Sequence, residues 1–149
     1  MRTQVKSYGV REDKAMRTWM QIARAFHKGN TQEIQYFAQH DLTFTQFKVL
    51  EVLYHRGNLN VGSITKLTMS TPGNITVVVR NLKRDGWIDT VKNDLDKRST
   101  LLSITPKGVK VIESIFPTHA KNLTSHFNIL NDEELETLYK LVRKLQKSM

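Results

Sequence analysis

Along most of this chain apolar residues return every three or four positions, the interval that lines one face of a helix. Met16, Met20, Ala23 and Phe26 do so between Asp13 and Phe26. Ile34, Phe37 and Ala38 resume the step beyond Gly29-Asn30, where a bend is expected. Trp19, Met20, Phe26 and Phe37 read as core or interface side chains. Thr43-Phe44-Thr45-Gln46 has the form of a capping box, in which a Thr hydroxyl takes a backbone N–H and a Gln reaches back. Phe47, Leu50, Leu53 and Tyr54 then mark one helical face, and Gly57 suits a left-handed stop. Val61 to Leu67 predicts a brief second helix with Ile64 and Leu67 inward.

The segment STPGNITVVVRNLKRDGW carries both kinds of signal. Its β-branched run from Ile75 to Val79 favours a strand. Ser70 or Thr71 as cap, Pro72 at the first helical position and Gly86 past the end favour a helix. Ile75, Val78, Val79 and Leu82 also fall on one helical face. Caps and period agree over the whole segment, so a helix is predicted. Trp87–Val91 and Thr100–Ile104 predict two strands joined as a hairpin. Thr105-Pro106 opens another helix with Val109, Ile112 and Phe116 on one face and Val111 and Ile115 beside it. Pro117 lacks a backbone donor and is expected to kink or break that helix. Asn131-Asp132-Glu133-Glu134 is an acid-rich start that suits a helix dipole. Leu135, Leu138, Leu141, Val142 and Leu145 follow it. The expected fold is mainly α with a small β-hairpin wing: a winged helix-turn-helix flanked by helices at both ends.

Composition narrows the function. The chain has 149 residues, 39% hydrophobic and 25% charged, the mix of a folded soluble domain. No internal repeat or linker divides it, so residues 1–149 read as one chain. There is no cysteine, which excludes disulfides, thiolate chemistry and thiol redox sensing. No apolar run approaches the ~20 residues of a membrane span, and MRTQVKSYGVREDK lacks the apolar centre of a signal peptide. A cytoplasmic protein with no membrane partner is expected. The formal charge is +9 with a pI near 9.9, which favours a polyanionic partner. Residues 1–28 carry net +5, whereas residues 71–98 carry only +2.

In a helix-turn-helix the second helix enters the major groove with its N-terminal residues first. Thr71, Gly73, Asn74 and Thr76 are small or polar there and let the backbone approach phosphates and base edges. Asn74 has the geometry to read an adenine, and Thr76 to touch a thymine methyl or a phosphate. Arg80 and Lys83 add positive charge. The hairpin tip VKNDLDKRSTLL mixes Asp94 and Asp96 with Lys92, Lys97 and Arg98. It reads as a metal loop, a solvated turn or a DNA-touching finger. An EF-hand would need a Gly at its sixth place and a later Glu, and neither follows Asp94.

These pieces together resemble the MarR family of bacterial transcription regulators. The resemblance runs from about Met16 to Leu145. It rests on DLTFTQFKVLEVLYHRG, STPGNITVVVRNLKRDGWI, the wing DLDKRST and LSITPKGVKVI. FHKGNTQE, TPGNIT and IFPTHA look like the branch that responds to phenol- and quinone-type stress. The resemblance implies a homodimer on double-stranded DNA with a roughly palindromic operator. Residues 12–40 and 106–149 would be dimerisation helices, and residues 41–105 the winged helix-turn-helix lobe. It further implies that Arg98 reaches a minor groove while Asp96 holds it by a salt bridge. The chain departs from the family where Thr90 replaces a basic residue and Val77 an arginine.

A small aromatic effector, phenol- or quinone-like, is implied as well. Trp19, His27, Tyr54 and His119 are candidates to line its pocket, with core packing the competing reading. Five histidines raise a metal-responsive alternative. His119 and His126 lie seven apart, but no tight His-x₃-His pair exists, so no metal ligands and no cofactor are assigned. No GxSxG, HExxH, P-loop or GxGxxG occurs, so no catalytic residues and no enzyme activity are expected. A winged-helix module that binds protein is the third class. The reading best supported is a ligand-responsive DNA-binding repressor.

Overall fold

The structure, a computed structural model, describes residues 6–149. Arg2, one of the cations counted in the N-terminal basic segment, lies outside the described residues, as does the start of MRTQVKSYGVREDK. Six helices and one hairpin follow in the order α1 (Val10–Ala38), α2 (Phe44–Arg56), α3 (Val61–Leu67), α4 (Pro72–Arg84), β1 (Ile88–Lys92), β2 (Thr100–Ile104), α5 (Pro106–Phe127) and α6 (Asp132–Ser148).

Local chemistry sets most of these boundaries. Thr43 and Gln46 form the expected capping box at α2. Asn60 caps α3, Thr71 caps α4 with Pro72 next, and Thr105 caps α5 with Pro106 next. Asn131 and Glu134 make a second capping box at α6. Helix α4 ends in a Schellman motif: Gly86 N–H donates to the Lys83 carbonyl and Trp87 N–H to the Leu82 carbonyl. Gly86 sits at φ 75°, where an L side chain would strain. Gly57 also has positive φ, 79°, but its ψ of −157° is extended rather than left-handed helical.

Two expectations are narrowed to helices that do not break, and one is corrected. Helix α1 runs through Gly29-Asn30 without interruption. Helix α5 runs through Pro117; a proline inside a helix removes a single donor, and α5 keeps buried residues on both sides of it, Ile112 and Ile115 before and His119 after. In α3 Ile64 is buried as expected, but Leu67 is 42% exposed and Thr68 takes the inward place. Thr68 is tolerated there because its hydroxyl donates to the Ile64 carbonyl at 2.8 Å.

The core gathers where α2 meets α1, α4 and α5. Phe37 of α1 stacks on Phe47 of α2 with ring centroids 4.0 Å apart. Ile64, Ile75, Leu82, Ile88, Leu102 and Ile112 close around them. The hairpin is antiparallel, pairing Ile88 with Ile104 and Lys92 with Thr100. Leu59, just before α3, makes two backbone hydrogen bonds with Leu102, which ties the wing to the helices. Gly108 of α5 lies against the backbone of Trp87, so close that a Cβ would sit 2.2 Å from the Trp87 carbonyl oxygen.

The ends are different. Helix α6 buries none of its residues, although Leu138, Leu141, Val142 and Leu145 line one side of it. On α1, Trp19, Met20 and Phe26 are 58%, 46% and 69% exposed. Of Trp19, Met20, Phe26 and Phe37, only Phe37 enters this chain's core. Among the described residues no helix is long and apolar enough to cross a membrane.

Candidate nucleic-acid interface

Helix α4 turns Ile75, Val78 and Leu82 into the core. Gly73, Thr76, Val77, Arg80 and Lys83 then fall on its other side, with Asn74 at the flank of the inward stripe. All six are exposed, as is Thr71. The β-branched run is thus accommodated in a helix because two of its members face inward and the caps hold the start. Thr71 Oγ1 accepts the Asn74 N–H at 3.3 Å. Thr76 Oγ1 donates to the Pro72 carbonyl at 2.9 Å. A Cβ at Gly73 would meet nothing within 4 Å. Packing inside the chain therefore gives no reason for a glycine there.

Charge on this face is held in place. Lys83 Nζ donates to Thr90 Oγ1 of β1. Thr90 stands where the family resemblance led one to expect a base, and Lys83 brings an ammonium to that spot from the neighbouring helix. Arg84 pairs with Asp85 at 3.1 Å. Arg80 has no ion-pair partner among the described residues.

The hairpin tip is a self-bonded turn. Asn93 Oδ1 accepts the Leu95 N–H, and Asn93 Nδ2 donates to Ser99 Oγ at 2.6 Å. Asp96 Oδ1 accepts the backbone N–H of Arg98 at 3.0 Å, and the Asp96 carbonyl accepts from Ser99. The resemblance implied a salt bridge between the side chains of Asp96 and Arg98. Among the described residues no such pair forms: the carboxylate shapes the loop and the guanidinium stays free and exposed. The Asp96 Oδ1 and the Asn93 amide are thus spent on the turn's own backbone and on Ser99.

The four pocket candidates are not brought together. Trp19 faces a groove shared with Leu145 of α6. His27 is exposed on α1. Tyr54 and His119 are linked, however, through two residues that were not among the pocket candidates, His55 and Phe116. Rings run from Tyr54 to His55, to Phe116, to His119, with centroids 5.0, 5.0 and 5.6 Å apart. His119 itself is buried and bonded to Glu33 of α1. Glu33 was also missed; its signal was an acid four residues before Phe37, on the inward stripe of α1. Lys48 is a further unforeseen contact. Its ammonium donates to the Thr68 carbonyl at the end of α3 at 2.6 Å, and desolvation holds its pKa below the ordinary lysine value. Among the described residues no group of three or more His, Cys, Asp or Glu side chains is arranged to hold a metal ion.

Comparison with known proteins bears on the family and the fold. The sequence model of the MarR family matches residues 42–100, which span α2 to the start of β2. The HTH-type transcriptional regulator YkoM of Bacillus subtilis (strain 168) is 32% identical over 132 residues, 89% of this chain and 86% of its own. The HTH-type transcriptional regulator MhqR of the same organism is 29% identical over 133 residues, covering 89% and 92%. Among solved structures, Bordetella bronchiseptica BpsR, studied for the regulation of its DNA binding by 6-hydroxynicotinic acid, superposes with a TM-score of 0.70 at 25% identity, covering 85% of this chain and 98% of that one. The chain is thus similar over most of its length to HTH-type transcriptional regulators, and its fold superposes on that of a DNA-binding protein. This chain belongs to the MarR family of winged helix-turn-helix transcription regulators.

Proposed function

We propose that the protein acts in the cytoplasm as a homodimeric repressor on a palindromic operator, released by a small aromatic effector. The observation that carries the DNA half is Gly73: a glycine with open space at its missing Cβ, at the exposed leading end of α4. Its use lies outside the chain, where a backbone must come close to a phosphate or a base edge. In this reading Thr71, Gly73, Asn74 and Thr76 enter the major groove. Arg80 and Lys83 meet phosphates, and Arg98 probes the minor groove from a loop that Asp96 shapes. A narrow minor groove attracts a single guanidinium through its deep negative potential.

Dimerisation is supported by the uncovered apolar sides of α1 and α6, residues 12–40 and 106–149 supplying the contact. Exposed apolar patches of this extent on a soluble chain mark interaction sites. Two such chains would present two α4 helices to half-sites about one helical turn, ~34 Å, apart. The effector reading rests on the aromatic row Tyr54–His55–Phe116–His119 and on the phenol- and quinone-type branch that the sequence resembles. BpsR, a structural relative, responds to a hydroxylated aromatic acid. Binding would favour a lobe spacing that no longer fits both half-sites.

The test is in vitro selection of bound DNA at stated salt. A palindrome with half-sites one turn apart is expected; enrichment of a single unpaired half-site would overturn the dimer reading. Phenols and quinones added to the selected complex are expected to lower its affinity. No loss with any of them would remove the effector half and leave the DNA half standing.

A further inference from the structure

The turn between α3 and α4 is held by a side chain that neither helix contributes. Helix α3 ends in a Schellman motif: Ser70 N–H donates to the Thr65 carbonyl and Met69 N–H to the Lys66 carbonyl. Such a motif needs one residue in the left-handed region, usually glycine. Here Met69 takes that place at φ 53°, a conformation that strains an L side chain. Its side chain is 86% exposed, so no packing of its own keeps it there. Thr68, just before it, is buried. The Thr68 hydroxyl lies within hydrogen-bond distance of the Ile64 carbonyl and of Ser70 Oγ.

Lys48 reaches this turn from α2. The residues on either side of it, Phe47 and Val49, are buried, so its backbone is fixed in the core. Its ammonium donates to the Thr68 carbonyl at 2.6 Å and lies 5.3 Å from the centre of the Phe44 ring, a cation-on-ring contact. Among the described residues no carboxylate lies within ion-pair distance of it. The Thr68 carbonyl and the Met69 N–H belong to one rigid peptide plane. That plane is gripped at both ends, by Lys48 through its oxygen and by the Lys66 carbonyl through its N–H. Rotating it would break both bonds and change the φ of Met69. Thr71, the cap of α4, follows two residues after Met69.

We propose that Lys48 is a positioning residue for DNA recognition: it fixes the peptide that aims the leading end of α4 and does not itself touch DNA. The inference rests on the reading that α4 enters the major groove. Readout of base edges needs groups held to a fraction of an ångström by the contacts behind them. Phosphate contacts carry no sequence information and tolerate more movement. Loosening the turn therefore costs recognition of sequence before it costs attraction to DNA.

The experiment compares full-length wild type with Lys48→Met, which keeps the apolar stem and removes the donor. Two duplexes are used: the one recovered by in vitro selection with wild type, and a scrambled version of it. Affinities are read by fluorescence anisotropy over a salt series. Lys48→Met should lose about tenfold on the selected duplex, the effect of one lost hydrogen bond to a charged group, and less than about twofold on the scrambled one. The slope of log affinity against log salt should stay that of wild type. Equal loss on both duplexes would overturn the proposal, a slope smaller by about 1 marking Lys48 as a phosphate contact. Unchanged affinity on both, even with a lowered unfolding midpoint, would make its role structural only and overturn it likewise. Should Lys48→Met not fold, Lys48→Arg takes its place. Its guanidinium still donates but reaches further, so the selected duplex should again lose more than the scrambled one; an unchanged ratio of the two affinities would refute the proposal. Gly73→Ala tests the underlying reading separately, because the added methyl meets nothing inside the chain. Weaker binding of the selected duplex by Gly73→Ala, with Lys48→Met like wild type, would remove the role of Lys48 alone. Wild-type affinity in Gly73→Ala would overturn the placement of α4 and this inference with it.

Discussion

Lys83 on α4 donates to the hydroxyl of Thr90 on β1, joining the candidate recognition helix to the first strand of the wing. The pair fixes an otherwise mobile ammonium at the place where helix and wing meet. Replacing Lys83 with Ala should weaken binding to all DNA sequences and reduce the slope of log affinity against log salt by about 1. Replacing Thr90 with Val keeps the charge but releases it. A loss of ~0.5–1 kcal/mol is expected, with the slope unchanged. Fluorescence anisotropy across a salt series separates the two effects.

At the wing tip, Asp96 acts on the backbone of Arg98 rather than on its guanidinium. An asparagine could accept the same N–H. Asp96→Asn should therefore bind DNA nearly as well as wild type, whereas Asp96→Ala should bind more weakly. Arg98→Ala should cost on the order of 1–3 kcal/mol and relax preference at the position it reads. Were the Asp96 charge needed to hold the guanidinium, the Asn and Ala variants would lose affinity equally in the same assay.

Gly108 touches the Trp87 backbone so closely that a methyl group has no room. The neighbouring atoms are main chain and the side chain of Ile104, and the main chain cannot swing aside. Gly108→Ala should destabilise the fold by roughly 1–3 kcal/mol, although alanine is the better helix former. Urea unfolding followed by circular dichroism gives the midpoint; an unshifted midpoint would mean the α5 start is loosely seated.

Asp13 holds the entry to α1. Its carboxylate accepts the Ser7 hydroxyl and the Tyr8 N–H. These bonds, the Ser7 one foremost, keep its pKa below the usual carboxylate value. A depressed folded value means that the contribution is present above the unfolded value and is lost as pH falls through the folded one. Acidification should therefore release the turn before α1, and Ser7→Ala should move the transition to higher pH. The Asp13 side-chain carbonyl resonance in carbon-13 NMR reports both.

What could be read from the residues beforehand was local. Thr43 with Gln46, Thr71 with Pro72, and Gly86 act within one turn of chain, so short spacings reveal them. The winged order followed from those caps and from the period of Ile75, Val78 and Leu82. Tertiary choices were not legible. Pro117 stays inside a helix because buried neighbours on both sides outweigh one missing donor. Leu67 and Thr68 differ by a single helical step of about 100°, and packing against α2 and α4 selects between them. Trp19 and His27 were grouped with Tyr54 and His119 by residue type, and nothing in one sequence tells which helix each would face. Glu33 was passed over because a carboxylate on an apolar stripe gains meaning only once His119 and His126 stand opposite it.

The two bonds between Leu59 and Leu102 have a mechanical consequence. Strand β2 is gripped from both edges at its midpoint, by β1 and by Leu59. A slip of one position would break both grips and turn Leu102 out to water. The hairpin thus has a fixed fulcrum near Leu102 and a free arm beyond Thr100. Contact with a bent or narrowed duplex would flex that arm alone, leaving the seat of α4 undisturbed.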